Sequence, residues 1–437
     1  MGQMGFRYLS QLAPWKGKGG FTLDKMRALM AALGNPQDQY RSVHVAGTNG
    51  KGSVSVSCAS ILGAAGFKVG LNISPHLTRM NERIIVDGVA ISDERLDRVA
   101  EMIGDVAIAN DLELTFFEAI TACSFVEFAE RGVDWAVIEV GLGGRLDATN
   151  VIASPAVCVV TTIDYDHQEI LGNSLAQIAK EKAGIFKPSA AIVIGELKSE
   201  PREVLVSAAS AASSGVYLAG HDFSWNVRNG GEPYVEYSSS QFGGMSIRSV
   251  LPGVHQAQNL SVAATVGRLI GVDCATCELG LAKAFWPARL EEIRKGEQSY
   301  LIDCAHNIAG IQALGDYLGS CGKSNQALVF GAIETKEWQN MLEILLPYSS
   351  EVLIVEPLAP NPVGCARIAD FLSGIGVKFR VFEQNYRAVL EYLSGGEWPG
   401  VVIAGSMYMV GEIREMLSNQ QVRYWERCST RSTEPQT

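Results

Sequence analysis

Short apolar runs alternate with helically periodic segments along most of this chain. Residues 42–46, 69–73, 135–138 and 156–161 are four to six residues long and largely apolar, and Gly, Asn, Asp or Pro follow closely. Such runs suit strands covered on both faces. Residues 54–65 and the stretch from Ser174 to Gly184 carry helical patterns between them. Toward the C-terminus the alternation becomes more regular, with apolar runs at 300–302, 327–330, 352–355, 379–382 and 401–404. The expected class is α/β, with a mostly parallel sheet in a larger N-terminal domain and a smaller Rossmann-like C-terminal domain. The boundary is expected at Trp286-Pro287, giving residues 1–287 and 288–437, with residues 291–298 as a charged connector. Residues 231–253 break the pattern and read as an antiparallel insert. The polar tail after Asn419 reads as frayed.

Composition narrows the class. With 437 residues, 47% hydrophobic and 19% charged, the chain can bury a large core. No apolar run approaches the ~18 residues of a membrane span, and the first twenty residues lack a signal-peptide block. A soluble cytoplasmic protein, monomeric and without a membrane partner, is expected. The net charge of −11 argues against nucleic acid. Nine cysteines, an odd number, are scattered, and Cys58, Cys123 and Cys158 lie in apolar segments, as reduced core thiols do. Cys274-x-x-Cys277 has no second pair at zinc spacing and reads as helix surface and core.

The strongest chemical signal is Gly47-Thr48-Asn49-Gly50-Lys51-Gly52-Ser53, placed between a strand and a helix. Glycines let backbone N–H groups close on phosphate oxygens, the helix offers its positive end, Lys51 neutralises charge and Ser53 can reach Mg²⁺. A nucleoside triphosphate is the expected ligand. The spacing departs from the common phosphate loop, because position 45 is Val and Gly52 separates Lys51 from Ser53. Glu139 ends a strand and faces the crevice where ligands bind in parallel sheets; with Ser53 it gives the oxygen ligands Mg²⁺ prefers. The following Gly141 to Gly144 is not a dinucleotide fingerprint, since Leu146 stands where a third small residue belongs.

His167, after another strand, reads as a metal ligand, and Ser74 as a source of one more oxygen. Arg79 and Arg83 are candidates for an anionic substrate, against a plain solvated charge run. Lys180 and Lys182 read as solvated charges at a helix C-terminus. Arg289, Asp303 and His306 lie in the second domain and would reach a nucleotide only on domain closure.

Taken together, these segments resemble folylpolyglutamate synthase/dihydrofolate synthase of the Mur ligase superfamily. The resemblance rests on residues 47–53, Ser74-Pro75-His76-Leu77 with Asn81-Glu82-Arg83-Ile84, Thr115-Phe116-Phe117-Glu118 and residues 139–150. It continues through Asp166-His167, Leu171-Gly172, Glu181-Lys182-Ala183-Gly184, His255-Gln256 with Asn259, Pro287-Ala288-Arg289-Leu290, Asp303 with Ala305-His306-Asn307, and Gly405-Ser406. It implies Mg²⁺, as two ions, held by Ser53, Ser74, Glu139 and His167, and ATP held by Asn49, Gly50, Lys51, Gly52, Ser53, Asn259, Arg289 and Asp303. Pterin-substrate contacts are implied for Thr115, Phe116, Phe117, Glu118, Leu146, Asp147 and Ala148, with Arg79, Arg83 and His306 added to the substrate set.

The resemblance also implies that Lys182 is carbamylated, and it makes Lys51, Glu139, His167 and Lys182 the catalytic group. The implied reaction joins L-glutamate to dihydropteroate, to folates, or to both, through an acyl phosphate formed from ATP. The alternative is a Mur-type ligase adding another amino acid to another carboxylate. Cys304 and Ala288 stand where the family usually has Gly, and Glu334-Thr335-Lys336 replaces a more common Asp-Lys-Asp.

Overall fold

The computed structural model describes residues 4–13, 22–212, 215–228, 234–249, 251–418 and 422–428. Two compact units divide the chain: residues 1–250, 256–285 and 422–437 form the first, and residues 251–255 and 286–421 the second.

The first unit is built on an eight-stranded sheet: β1 (Arg41–Ala46), β2 (Val69–Asn72), β3 (Ile84–Val86), β4 (Val89–Ala90), β5 (Trp135–Glu139), β6 (Val157–Val160), β7 (Ala191–Ile194) and β8 (Val216–Leu218). Their order is β4-β3-β2-β5-β1-β6-β7-β8. Only β3 and β4 run antiparallel to their neighbours. One face is covered by the helices Asp93–Ala109 and Phe116–Glu130, whose Ile103, Phe125 and Phe128 pack toward Ala136 and Ile138. On the other side Leu175–Ala183 and Ser199–Ala212 join Cys158, Val160 and Ile192 in a second cluster. Covering on both faces explains why these strands are continuous apolar runs.

The helix Lys51–Ala64 is buried along almost its whole length, which suits a sequence of small and apolar residues with no polar stripe. Gly280 lets it pack closely, because a Cβ there would lie 2.5 Å from Ile61 Cα. The antiparallel insert consists of β9 (Phe223–Arg228), β10 (Tyr234–Ser239) and β11 (Gly243–Ile247), and so starts ahead of the expected residue 231.

The second unit holds six strands: β12 (Glu291–Lys295), β13 (Gln298–Ile302), β14 (Gln326–Phe330), β15 (Ser349–Val355), β16 (Phe379–Glu383) and β17 (Val401–Ala404), ordered β12-β13-β17-β14-β15-β16. All pair in parallel except β12, which forms a hairpin with β13 around Gly296. Residues 291–295 therefore form a strand where a charged connector was expected. An edge strand tolerates charge on its open side, and Glu291 forms a two-pronged ion pair with Arg414 at 2.6 and 2.8 Å.

The expectation of a frayed tail does not hold for residues 422–428, which return to the first unit. Tyr424 N donates to Gly88 O at 2.9 Å and Cys428 N to Gly63 O at 3.1 Å. Tyr424 and Trp425 are each 1% exposed. Gly63 makes room for the indole, since a Cβ there would sit 2.6 Å from Trp425 Cδ1. The polar residues around this aromatic pair hide it from a composition argument; residues 419–421 and 429–437 lie outside the described residues. No helix among the described residues is long and apolar enough to cross a membrane.

Removing a buried indole costs about 3–5 kcal/mol. Trp425→Ala is therefore expected to bring unfolding of the first unit to a lower urea concentration, and an unchanged denaturation profile would show that the returning segment contributes no stability.

Candidate functional site: a phosphate loop at the sheet edge

Strands β2, β5, β1 and β6 are neighbours, all parallel, and they end nearly level. Asn72 pairs with Ile138, Val45 with Glu139 and Ala46 with Val160. Adjacent strands lie about 4.8 Å apart, so this register brings Ser74, Glu139, the phosphate loop and the segment holding His167 to one edge of the sheet. The chain leaves β1 toward β2 on one side and later reaches β6 on the other, and such a reversal opens a ligand crevice at the carboxyl ends.

Two left-handed glycines shape the phosphate loop, Gly47 at φ +152° and Gly50 at φ +83°. Gly50 caps the helix, which begins at Lys51 rather than at the expected residue 54. The first intrahelical bond in this turn is Val54 N to Gly50 O at 2.9 Å. The amides of Lys51, Gly52 and Ser53 thus have no acceptor within the helix and point out of its positive end. The loop is tied down from behind: Thr48 N donates to Thr162 O (2.8 Å), Asn49 N to Thr162 Oγ1 (3.0 Å), and Thr161 Oγ1 to Asn49 O (2.6 Å).

Asn259 fills the space beside Gly50, where a Cβ would lie 2.4 Å from its Oδ1. Asn259 also donates to Gln256 (2.9 Å), which in turn donates to Ser53 Oγ at 3.3 Å. Lys51 Nζ bonds back to Thr48 O at 3.1 Å.

Glu139 is 4% exposed, and one of its carboxylate oxygens accepts from Ser74 N at 3.3 Å. Ser74 Oγ is buried and meets no hydrogen-bond partner among the described residues. A hydroxyl left so beside a carboxylate is poised for a cation. His167, at φ +51°, is half exposed, with its Nε2 3.9 Å from Asp166 Oδ1.

Lys182 differs from its reading as a solvated helix-end charge. Lys180 is exposed, but Lys182 is buried, and its Nζ donates to Gly47 O at 2.8 Å. Burial first, and the Lys51 charge second, push its amine down to about 7, against the opposing pull of Asp166 and Asp147. Half of such amines are neutral near physiological pH.

Of the substrate candidates, Thr115 and Glu118 form a capping box, with Glu118 Oε2 accepting from Thr115 N at 2.8 Å and Oγ1 at 2.9 Å. Phe117 lies over Gly141, where a Cβ would be 2.3 Å from Phe117 Cζ. Phe116 lies under the Arg83 guanidinium at 5.3 Å, and Arg83 Nε donates to His76 Nδ1 at 2.8 Å. Burial, then Arg83, holds the His76 ring neutral, down to about 4. Arg79 turns to Asp93 at 3.0 Å.

Asp147 spends both oxygens inside its own loop, on Leu142 N (2.8 Å) and on Thr149 N and Oγ1 (3.0 and 2.5 Å). Leu146 is half-buried and Ala148 is buried. In the second unit, Asp303 accepts from Leu290 N and Ala305 N, each at 2.8 Å, and burial raises its carboxyl against the Arg289 charge. Arg289 bonds Ala288 O at 3.2 Å, and His306 donates from Nδ1 to Cys304 O at 2.8 Å. Ala288 sits at φ +53°, a left-handed position that glycine adopts more easily.

Sequence reasoning missed Thr161 and Thr162, which brace the loop. Their only signal was polar type inside or beside an apolar segment. Gly50→Ala meets both a left-handed backbone and Asn259, and is expected to weaken nucleotide binding by about tenfold or more in a calorimetric titration. Unchanged affinity would remove this packing from the site.

Comparison with known proteins agrees with this geometry. The Mur ligase middle domain matches residues 45–267. A Bacillus subtilis protein, dihydrofolate synthase/folylpolyglutamate synthase, is 33% identical, over 90% of this chain and 94% of its own. The solved structure of Mycobacterium tuberculosis folylpolyglutamate synthase complexed with ADP is similar at a TM-score of 0.86 and 30% identity, covering 95% of this chain and 98% of that one. E. coli FolC in complex with DHPP and ADP is similar at a TM-score of 0.83 and 27% identity, covering 94% and 96%. A phosphate loop with an extra glycine, a carboxylate at the next strand's end, and similarity over nine-tenths of the chain lead to one conclusion: this chain belongs to the dihydrofolate synthase/folylpolyglutamate synthase family of Mur ligases.

Proposed function

We infer that the protein is an ATP-dependent ligase that joins L-glutamate to the carboxylate of dihydropteroate, of folates, or of both, working as a cytoplasmic monomer. The observation that carries this reading is the shared strand edge: Glu139 and the Ser74 hydroxyl, which meets no hydrogen-bond partner among the described residues, stand beside a helix N-terminus bearing Lys51 and Ser53.

Transfer of the γ-phosphoryl group from ATP to the acceptor carboxylate gives an acyl phosphate and ADP. The glutamate amine then attacks the acyl carbon, the C–O bond to phosphate breaks, an amide forms, and inorganic phosphate leaves with loss of the amine proton. The amides of residues 51–53 and the Lys51 ammonium are suited to the charge spread over the transferred group. Asn259, held at the loop, would contact the nucleotide. No protein nucleophile is needed.

The donor set fits Mg²⁺, a hard cation preferring oxygen, with Ser53, Ser74 and Glu139 as the holding residues and His167 read as a further ligand from the segment after β6. When bound, Mg²⁺ supplies charge neutralisation and orientation to the phosphate oxygens. Leu146, Ala148, Phe116 and Phe117 offer apolar area to a pterin ring, and Asp147 shapes their loop rather than facing the ligand.

Lys182 is read as carbamylated. Its neutral amine would attack CO₂, forming an N–C bond and releasing one proton, so that the buried neutral amine becomes an anion. The sign follows from its lowered pKa: below about 7 the ammonium form has no lone pair to offer, and above it the neutral amine does.

Mass spectrometry of products, with dihydropteroate and tetrahydrofolate offered separately beside glutamate and ATP, is expected to show addition of one glutamyl residue to at least one of them. Turnover by Lys51→Ala should fall about 100-fold or more while its fold persists. Absence of product from every pterin acceptor, with turnover on another amino acid and carboxylate, would defeat the folate assignment. A carbon-13 carbamate resonance should grow as pH climbs through about 7 and be missing from Lys182→Arg. No resonance in the wild-type protein above that pH would remove the modification.

A further inference from the structure

Strand β1 pairs on one edge with β5 and on the other with β6, yet its fourth residue is a histidine. His44 has no exposed surface, and its Nε2 lies 2.8 Å from Thr149 Oγ1. A hydroxyl has one proton to give, and Thr149 gives it to Asp147 Oδ1 at 2.5 Å. The Thr149 oxygen therefore accepts from His44, which fixes the imidazole as the Nε2–H tautomer. Its Nδ1 is buried and meets no hydrogen-bond partner among the described residues. A bare nitrogen in such a place is costly, so an apolar side chain would suit the strand better unless the donor has a use. Burial, with the Lys187 charge second, keeps the ring neutral, down to about 3, so it donates unchanged across the working pH range.

The chain of bonds ends in the substrate loop. Asp147 also accepts from Thr149 N at 3.0 Å and, through its other oxygen, from Leu142 N at 2.8 Å. That loop is stitched to the end of the helix carrying Lys182: Arg145 N donates to Glu181 O at 2.8 Å and Asn150 Nδ2 to Gly184 O at 3.0 Å. Gly184 admits the contact, because a Cβ there would lie 2.3 Å from Arg145 Cβ. Hydrogen bonds thus tie the centre of the sheet to the 142–150 loop, and that loop to the end of the helix carrying Lys182.

We propose that His44 is a positioning residue for acceptor binding: by donating to Thr149 it holds Asp147 onto Leu142 and sets the loop bearing Leu146 and Ala148. The proposal rests on the ligase reading for the roles of Leu146 and Ala148. Loss of the donor leaves Thr149 short of a partner and loosens the loop, while the phosphate loop keeps its own ties to Thr161 and Thr162.

The test compares His44→Leu, which fills the space without a donor, with His44→Gln, whose amide can donate from a similar place. In steady-state kinetics His44→Leu should raise the KM for the pterin acceptor about tenfold, with the KM for ATP changed less than about twofold. His44→Gln should recover most of that loss. Equal rises in both KM values, or no difference between Leu and Gln, would overturn the proposal.

If His44→Leu fails to fold, Thr149→Val breaks the same line outside the sheet. It should show the same split, with His44→Gln adding nothing further; normal acceptor KM in Thr149→Val counts against the relay. Should the wild-type protein turn over no pterin acceptor, the ligase reading fails first, and hydrogen exchange at the Leu142 amide decides the relay alone. Faster exchange in Thr149→Val than in Thr149→Ser supports it, and equal exchange removes it.

Discussion

The site depends on four parallel strands ending level. Because β2, β5, β1 and β6 share one register, a serine, a carboxylate, a helix N-terminus and a histidine-bearing segment come to the same edge without any of them being near in sequence. Each contribution is individually ordinary. Together they put oxygen donors against oriented amides, where a triphosphate and its cation need both. Slipping β5 by one residue against β1 would turn Glu139 to the other face, so the apolar packing that sets register also sets the chemistry.

The loop itself shows how little freedom is left once that register is set. Gly47 and Gly50 supply backbone angles that other residues adopt poorly, and Thr161, Thr162 and Asn259 occupy the space behind and beside them. Rigidity here is useful, since amides that are already aimed need not reorganise when charge moves.

Much of this was legible in the sequence for a simple reason. A strand covered on both faces is a continuous apolar run, so Glu139 at the end of one stands out, as does a glycine-rich turn between strand and helix. The misses share a different cause. Lys182 looked like a solvated helix-end charge because periodicity tells which face a residue is on, not what lies over that face; only the fold puts Gly47 above it. Likewise His44 inside an apolar strand gave no sign of its partner more than a hundred residues away. Residues 291–295 looked like a connector because edge strands need not be apolar, and Trp425 was masked by polar neighbours. Long-range contacts carried Lys182, His44 and Trp425, and a short hairpin carried residues 291–295.

The return of residues 422–428 to the first unit bears on how the chain is made. That unit lacks its Trp425 plug against Gly63 until residue 425 has emerged, with the second unit synthesised in between. Domains usually fold in order during synthesis. Here the earlier one must wait with an open slot beside its phosphate-loop helix, so the nucleotide-binding half is completed last, after the module inserted within it.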